Sequence, residues 1–252
     1  MAGLSVVTWK WGAQYPAEFV NRLARAVDRN LVAPHRFICV TDDMRGLDPR
    51  IDVIPDRGEY AKMAAGSRSC YRRLRMFDAD ARGMFGDHLL HLDLDTVIVG
   101  PLDPLIDRPE ELVMWRQPQA RIPLRHGYAY NPSIMLMRVG SHDALWKRFH
   151  GDPDGTVAKA RAAGWFGSDM AVINFYLMDK KIGAWTEGDG VLSWWVHIRK
   201  EPDMKWKSGS PRSCDGSLPA GARVVHFHGS MSEGPGDPGM QARYPWIKEH
   251  WR

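Results

Sequence analysis

The sequence predicts an α/β protein built on a mixed, mostly parallel central sheet with helices on both faces. Three observations lead there. Short apolar, β-branched runs alternate with stretches of helical period through the first hundred residues. Those runs are apolar almost throughout, as strands buried on both faces are. A length of 252 residues, 44% hydrophobic and 25% charged, supplies enough apolar chain for a full core and argues against disorder. Residues 1–252 therefore read as a single domain, loop-rich in a C-terminal segment from about 186.

The elements follow in order. Leu4 to Thr8 is the first strand. Pro16 opens a helix in which Phe19, Leu23 and Val27 recur at i, i+4 and i+8, with arginines and Asp28 opposite. Phe37 to Thr41 is a second strand, stopped by Asp42 and Asp43, and Ile51 to Ile54 a third between Pro49 and Pro55. Ser67 to Ala81 reads as a helix with Cys70, Leu74 and Phe77 inward and an arginine-rich flank. The run HLLHLDLDTVIVG at 88–100 is a strand, and further strands fall at Leu112 to Trp115, Ser133 to Val139 and Val224 to His228. Helices at Asp143 to Phe149 and Asp169 to Met178 fit between them. From 186 to 222 glycine, serine, proline and scattered lysines replace any period, which predicts a layer of loops.

Net charge +4 is mildly basic and suits an anionic substrate, a membrane surface or nucleic acid alike. The three cysteines, Cys39, Cys70 and Cys214, are odd in number and widely spaced, which argues against a disulfide framework or a cysteine zinc site and for a reducing compartment. The N-terminal stretch lacks a basic n-region and a long apolar segment, and no run approaches a membrane span, so the expected location is cytoplasmic. Eleven tryptophans exceed what a core of this size needs, pointing to aromatic surfaces for ring stacking.

Asp93 and Asp95 carry the sharpest chemical signal. In a strand, alternate residues share a face, so the two carboxylates would point the same way at the strand's end and share one hard divalent cation. Such a cation is suited to neutralising a diphosphate. Asp-x-Asp also occurs at 78–80 and 152–154, but only the copy at 93–95 ends a strand-like run. In an open α/β sheet, ligands bind beyond the carboxyl ends of the strands, where Thr8 to Trp11, Thr41 to Asp43 and Asp93 to Asp95 all lie. Trp9, Trp11 and Tyr15 either flank a base there or pack on a neighbouring helix. A second signal is VVHFHG at 224–229, where His226 and His228 share a face. Joined to the aspartates they would make a mixed carboxylate–imidazole site, which suits Mn²⁺ better than Mg²⁺; alone, the pair is a hydrogen-bonded structural feature.

Four segments in order resemble the GT-A nucleotide-sugar glycosyltransferases of family 8, the glycogenin and lipopolysaccharide galactosyltransferase type. They are YRRL at 71–74, HLLHLDLDTVIVGPL, YNPSIMLMRV at 130–139, and VVHFHG followed by YPW at 244–246. The resemblance implies a GT-A fold and sugar transfer from a nucleotide sugar, a UDP-sugar by preference. It implies Asp93, Asp95 and His226 as ligands of Mn²⁺, with Mg²⁺ as the alternative, and His228 near the bound donor. Arg73 and Asn131 would contact the donor sugar or diphosphate, Asp169 the donor sugar or acceptor, and Thr8, Trp9 and Tyr15 the nucleobase. It favours retention of anomeric configuration. The acceptor, whether carbohydrate, lipid-linked or protein, is not specified. Tyr244 stands where the family has lysine, so a diphosphate contact is absent or moved to Arg243, Lys248 or the lysines at 205–207. Pro132 follows Asn131 where a small residue is usual.

Two other readings compete. A nucleotidyltransferase would carry a glycine-rich basic phosphate loop near the first strand, and VVTWKWGAQYP has one glycine. A nucleic-acid-binding module would use the aromatic and basic residues of 194–212, which serve a loop over a diphosphate equally well; on the glycosyltransferase reading nucleic acid is no partner.

Overall fold

The computed structural model describes residues 3–58, 69–118, 129–199, 215–227 and 234–252. Strands β1 (Leu4–Lys10), β2 (His35–Thr41), β3 (Asp52–Pro55) and β4 (His88–Leu92) run parallel. Then come β5 (Thr96–Ile98), β6 (Leu112–Arg116), β7 (Tyr130–Arg138), β8 (Gly183–Trp185), β9 (Val191–Ser193) and β10 (Val224–His226). The central sheet has the order β3-β2-β1-β4-β7-β6-β8, with β7 antiparallel to both its neighbours and β8 parallel to β6. The predicted mixed, mostly parallel α/β sheet is what the chain forms.

Strand alternation divides the core between the two faces. Leu4 and Val6 of β1 and Leu90 and Leu92 of β4 join the cluster under helix α1 (Ala17–Asn30), with Leu105 and Ile106 of the short helix α3 (Asp103–Ile106). Val7, Trp9 and Leu89 join the opposite cluster, with the 3₁₀ helix Ser69–Phe77 and helices α4 (Asp143–Gly151) and α6 (Asp169–Leu177). In α1, Leu23 and Val27 are buried as their spacing predicts. Phe19 instead meets Tyr15 and Trp251 at ring-centroid distances of 5.2 and 5.3 Å.

Sequence and structure differ in four places. The segment expected as one helix over 67–81 is a 3₁₀ helix over Ser69–Phe77, a second 3₁₀ turn over Ala79–Ala81, and the short helix α2 (Arg82–Phe85). With three residues per turn its inward stripe is Tyr71, Leu74 and Phe77, so Cys70 lies only half-buried. The run at 88–100 is two strands rather than one, separated by a turn at Asp93–Asp95. In the loop-rich C-terminal part, β9 and β10 join β5 in a second sheet of order β5-β10-β9, packed on Tyr244, Trp246 and Trp251 from helices α7 (Pro238–Arg243) and α8 (Trp246–His250) and the residues beside them. Helix α5 (Pro153–Ala162), started by Asp152 accepting from the Gly155 amide at 2.9 Å, was not apparent from periodicity. Among the described residues no helix is long and apolar enough to cross a membrane.

Candidate active site

A cleft of about 280 Å³ opens at the carboxyl ends of β1 and β4. Its floor is the turn Asp93-Leu94-Asp95, closed by the Thr96 amide donating to the Asp93 carbonyl at 3.1 Å. Three elements fix that turn. The Asp93 amide donates to Ser133 O at 2.9 Å, the Phe227 amide to Asp95 O at 3.2 Å, and the buried Thr8 hydroxyl to Leu92 O at 2.9 Å. Thr8 therefore anchors the strand end and does not line the cleft. The other two Asp-x-Asp copies are helix starts: Asp78 accepts from the Asp80 amide at 3.0 Å, and Asp152 caps α5.

Charge at the floor is uneven. Arg73 donates through Nη1 to Asp93 Oδ1 and through Nε to Asp169 Oδ2 at 2.9 Å, while its Nη2 lies 2.7 Å from the same Asp169 oxygen. Burial opposes the charge on Asp93, but Arg73, His91 and Ser133 together outweigh it and hold this carboxyl below the usual range. Asp95 goes the other way: burial and then the neighbouring Asp93 push its carboxyl well up, and the Tyr15 hydroxyl at 3.4 Å offsets this only in part. Burial, then Asp95 and Asp93, raise the Tyr15 phenol in turn. Three carboxylates share one guanidinium here, and the shortfall of positive charge falls on Asp95. Oxygen donors with that shortfall fit a hard divalent cation.

The walls come from distant parts of the chain. Trp9, Trp11 and Tyr15 project from β1 and the loop after it, which is pinned by the Gly12 amide donating to the Asp42 carboxylate at 3.0 and 3.1 Å. The two tryptophans differ in placement. Trp9 is packed in the core, with its edge in the cleft and its Nε1 unbonded among the described residues. Trp11 borders the cleft under the Arg72 guanidinium, 4.9 Å from its ring centre. Opposite stands Asn131, whose Oδ1 accepts from the Ser133 amide at 2.8 Å. Pro132 and Ser133 occupy an irregularity in β7, where the register with β6 shifts and proline removes no ladder bond.

Asp169 lies behind the surface, 1% exposed, with its Oδ1 unbonded among the described residues; Ser168 and Met170 on either side line the cleft. His226 pairs with Thr96 in the second sheet, beside Asp95 in the chain, but its ring is buried edge-on to Trp115 at 4.4 Å. Phe227, its neighbour, is the residue of β10's end that borders the cleft. Among the described residues no group of three or more His, Cys, Asp or Glu is placed to hold a metal ion. His228 and the lysines at 205–207 lie outside the described residues. Tyr244 is buried in the C-terminal aromatic cluster, and the proposed nucleic-acid face begins with Trp194, also buried there. Sequence reasoning missed His91, Ser133, Cys70 and Phe227, although the alternation of β4 and the three-residue period of the 3₁₀ helix put the first and third on the cleft side.

The galactosyltransferase LgtC, solved with donor and acceptor sugar analogues, superposes with a TM-score of 0.59 at 14% identity, over 98% of this chain and 96% of that one. The glycosyltransferase GlyE of Streptococcus pneumoniae TIGR4 superposes with a TM-score of 0.61 at 12% identity, over 98% of this chain and 61% of that one. The fold is GT-A. No protein-family model matches the sequence, and no curated protein matches it. The likeness is one of architecture, and the chemistry rests on this chain's own residues.

Proposed function

We propose that the protein is a glycosyltransferase that moves a sugar from a nucleotide sugar, a UDP-sugar by preference, to an acceptor hydroxyl with retention of configuration. The observation that carries this reading is the aspartate turn at the parallel strands' carboxyl ends, facing an aromatic-walled cleft and short of positive charge. Asp93 and Asp95 would hold a divalent cation, Mn²⁺ or alternatively Mg²⁺, which when bound supplies the positive charge that stabilises a nucleoside diphosphate as leaving group. By resemblance His228 would lie near the donor and His226 would be a third ligand, but the His226 ring is buried against Trp115, so the cation is assigned to Asp93 and Asp95 alone.

The chain's own residues divide the remaining work. Trp11 and Tyr15, with the edge of Trp9, would line the nucleobase end of the cleft. Arg73 locks Asp93 to Asp169 and so sets the distance between the diphosphate end and the sugar end. By resemblance Asp169 would serve the donor sugar or acceptor, but at 1% exposure it reaches the cleft only through Arg73; Asn131, with Oδ1 engaged, offers its amide as a donor. Asp93 and Asp169 are tied to Arg73, and Asp95 is hydrogen-bonded to Tyr15. That arrangement supports retention, because inversion needs a carboxylate base facing the attacking hydroxyl.

Incubation with a panel of nucleotide sugars and simple acceptors, with and without Mn²⁺, tests the reading. Metal-dependent release of nucleoside diphosphate and an NMR-defined product of retained anomeric configuration are expected. An inverted product would remove the mechanistic part of the proposal.

A further inference from the structure

His91 is buried to 1% exposure behind the aspartate turn. It is the fourth residue of β4, on the face of the sheet that also carries Leu89. Its Nδ1 lies 3.1 Å from Val7 O on β1, and its Nε2 lies 3.1 Å from Asp93 Oδ1. Val7 and His91 are register partners in the parallel β1–β4 ladder, so the carbonyl that orients the imidazole is fixed by the sheet. The ring spans from rigid backbone to a carboxylate of the cleft floor. Arg73 also meets Asp93 Oδ1, but it is shared with Asp169 from another helix.

We propose that His91 is a positioning residue. By binding Oδ1 from below it fixes the rotamer of Asp93 and leaves the other carboxylate oxygen to a divalent cation. The inference rests on the reading that Asp93 and Asp95 hold such a cation. Groups that hold a ligating side chain in place set affinity as well as geometry, and their loss commonly weakens metal binding by about 10–100-fold.

Two substitutions separate positioning from packing. In His91→Asn the amide reaches the place of Nδ1 and keeps the bond to Val7 O but loses Asp93. In His91→Gln the amide nitrogen reaches the place of Nε2 and keeps Asp93 but loses Val7. The Kd for Mn²⁺ at saturating UDP would be measured by titration calorimetry on the full chain, with urea unfolding to record stability. The expected result is a Kd raised about tenfold or more in His91→Asn and within about threefold of wild type in His91→Gln, whichever is the less stable. A wild-type Kd in His91→Asn, or equal weakening in both variants, would overturn the inference while leaving the functional reading intact. A folded wild type that binds no Mn²⁺ with UDP would overturn the functional reading, and this inference with it.

Discussion

Arg73 answers two carboxylates from distant parts of the chain, Asp93 at the end of β4 and Asp169 at the start of α6. Removing it leaves both beside a cleft that already lacks positive charge. Arg73→Met should therefore lower stability by about 3–5 kcal/mol in urea unfolding, because it strands buried charge and does not merely lose a contact. A loss under about 1 kcal/mol would mean the pair is solvated. Asp95 gives a pH-dependent counterpart. Its carboxyl is raised by burial and by Asp93, so the folded chain keeps a proton there that the unfolded chain releases above the ordinary aspartate range. The associated stabilisation is full below that range, near about pH 4, and is lost as pH rises through the folded value, with a slope of at most about 1.4 kcal/mol per pH unit. Asp93 has the opposite sign, but its contribution is lost only as pH falls below the usual carboxylate range. In metal-free buffer, wild-type stability should fall relative to Asp95→Asn between about pH 5 and 8. Parallel profiles would contradict that assignment.

At the scale of elements, the 3₁₀ helix over Ser69–Phe77 does the sorting. A three-residue repeat sends Tyr71, Leu74 and Phe77 into the core and Cys70 and Arg73 to the cleft. Arg72 and Arg75 go to a neighbouring recess, where Arg72 pairs with Asp56. The sequence supports a helical segment here but not this pitch, because helical periods of 3.6 and 3.0 both place Leu74 inward and part company only at Cys70 and Tyr71. The thiols report the difference. Cys39 is buried in β2 and its thiol is pushed up to about 12, chiefly by burial, whereas Cys70 lines the cleft. In a Cys214→Ser background at about pH 8, iodoacetamide should modify Cys70 well before Cys39, read by mass spectrometry, and UDP with Mn²⁺ should slow it. Faster labelling of Cys39 would place Cys70 against the core, as a 3.6-residue period requires. The aspartate pair shows a similar limit. Its place at a strand end was legible from the apolar run before it, but strand alternation does not orient the two carboxylates. A turn held by Ser133 and Phe227 presents the two carboxylates, and those partners are 40 and more residues away in sequence.

The whole molecule gathers Tyr15, Arg73, Asp93, Asn131 and Phe227 around one cleft at the sheet's carboxyl rim. Most of this architecture was readable, because buried parallel strands advertise themselves as apolar runs and the rim rule then says where to look. What escaped reading depends on tertiary pairing: the antiparallel entry of β7, the second sheet of β5, β10 and β9, and the burial of His226 against Trp115. None of these is encoded by a local period. The fold superposes on glycosyltransferases over nearly the whole chain, and on the proposed function its aspartate turn would serve a metal-bound nucleoside diphosphate. Thermal unfolding with UDP, with and without Mn²⁺, in wild type and Asp95→Asn tests that claim most directly. At about a hundred times Kd a ligand of the native state adds about 2.7 kcal/mol. A rise of several degrees is expected for wild type only when UDP and Mn²⁺ are both present, and none for Asp95→Asn. A folded wild type with no Mn²⁺-dependent shift for UDP or any other nucleoside diphosphate would contradict it.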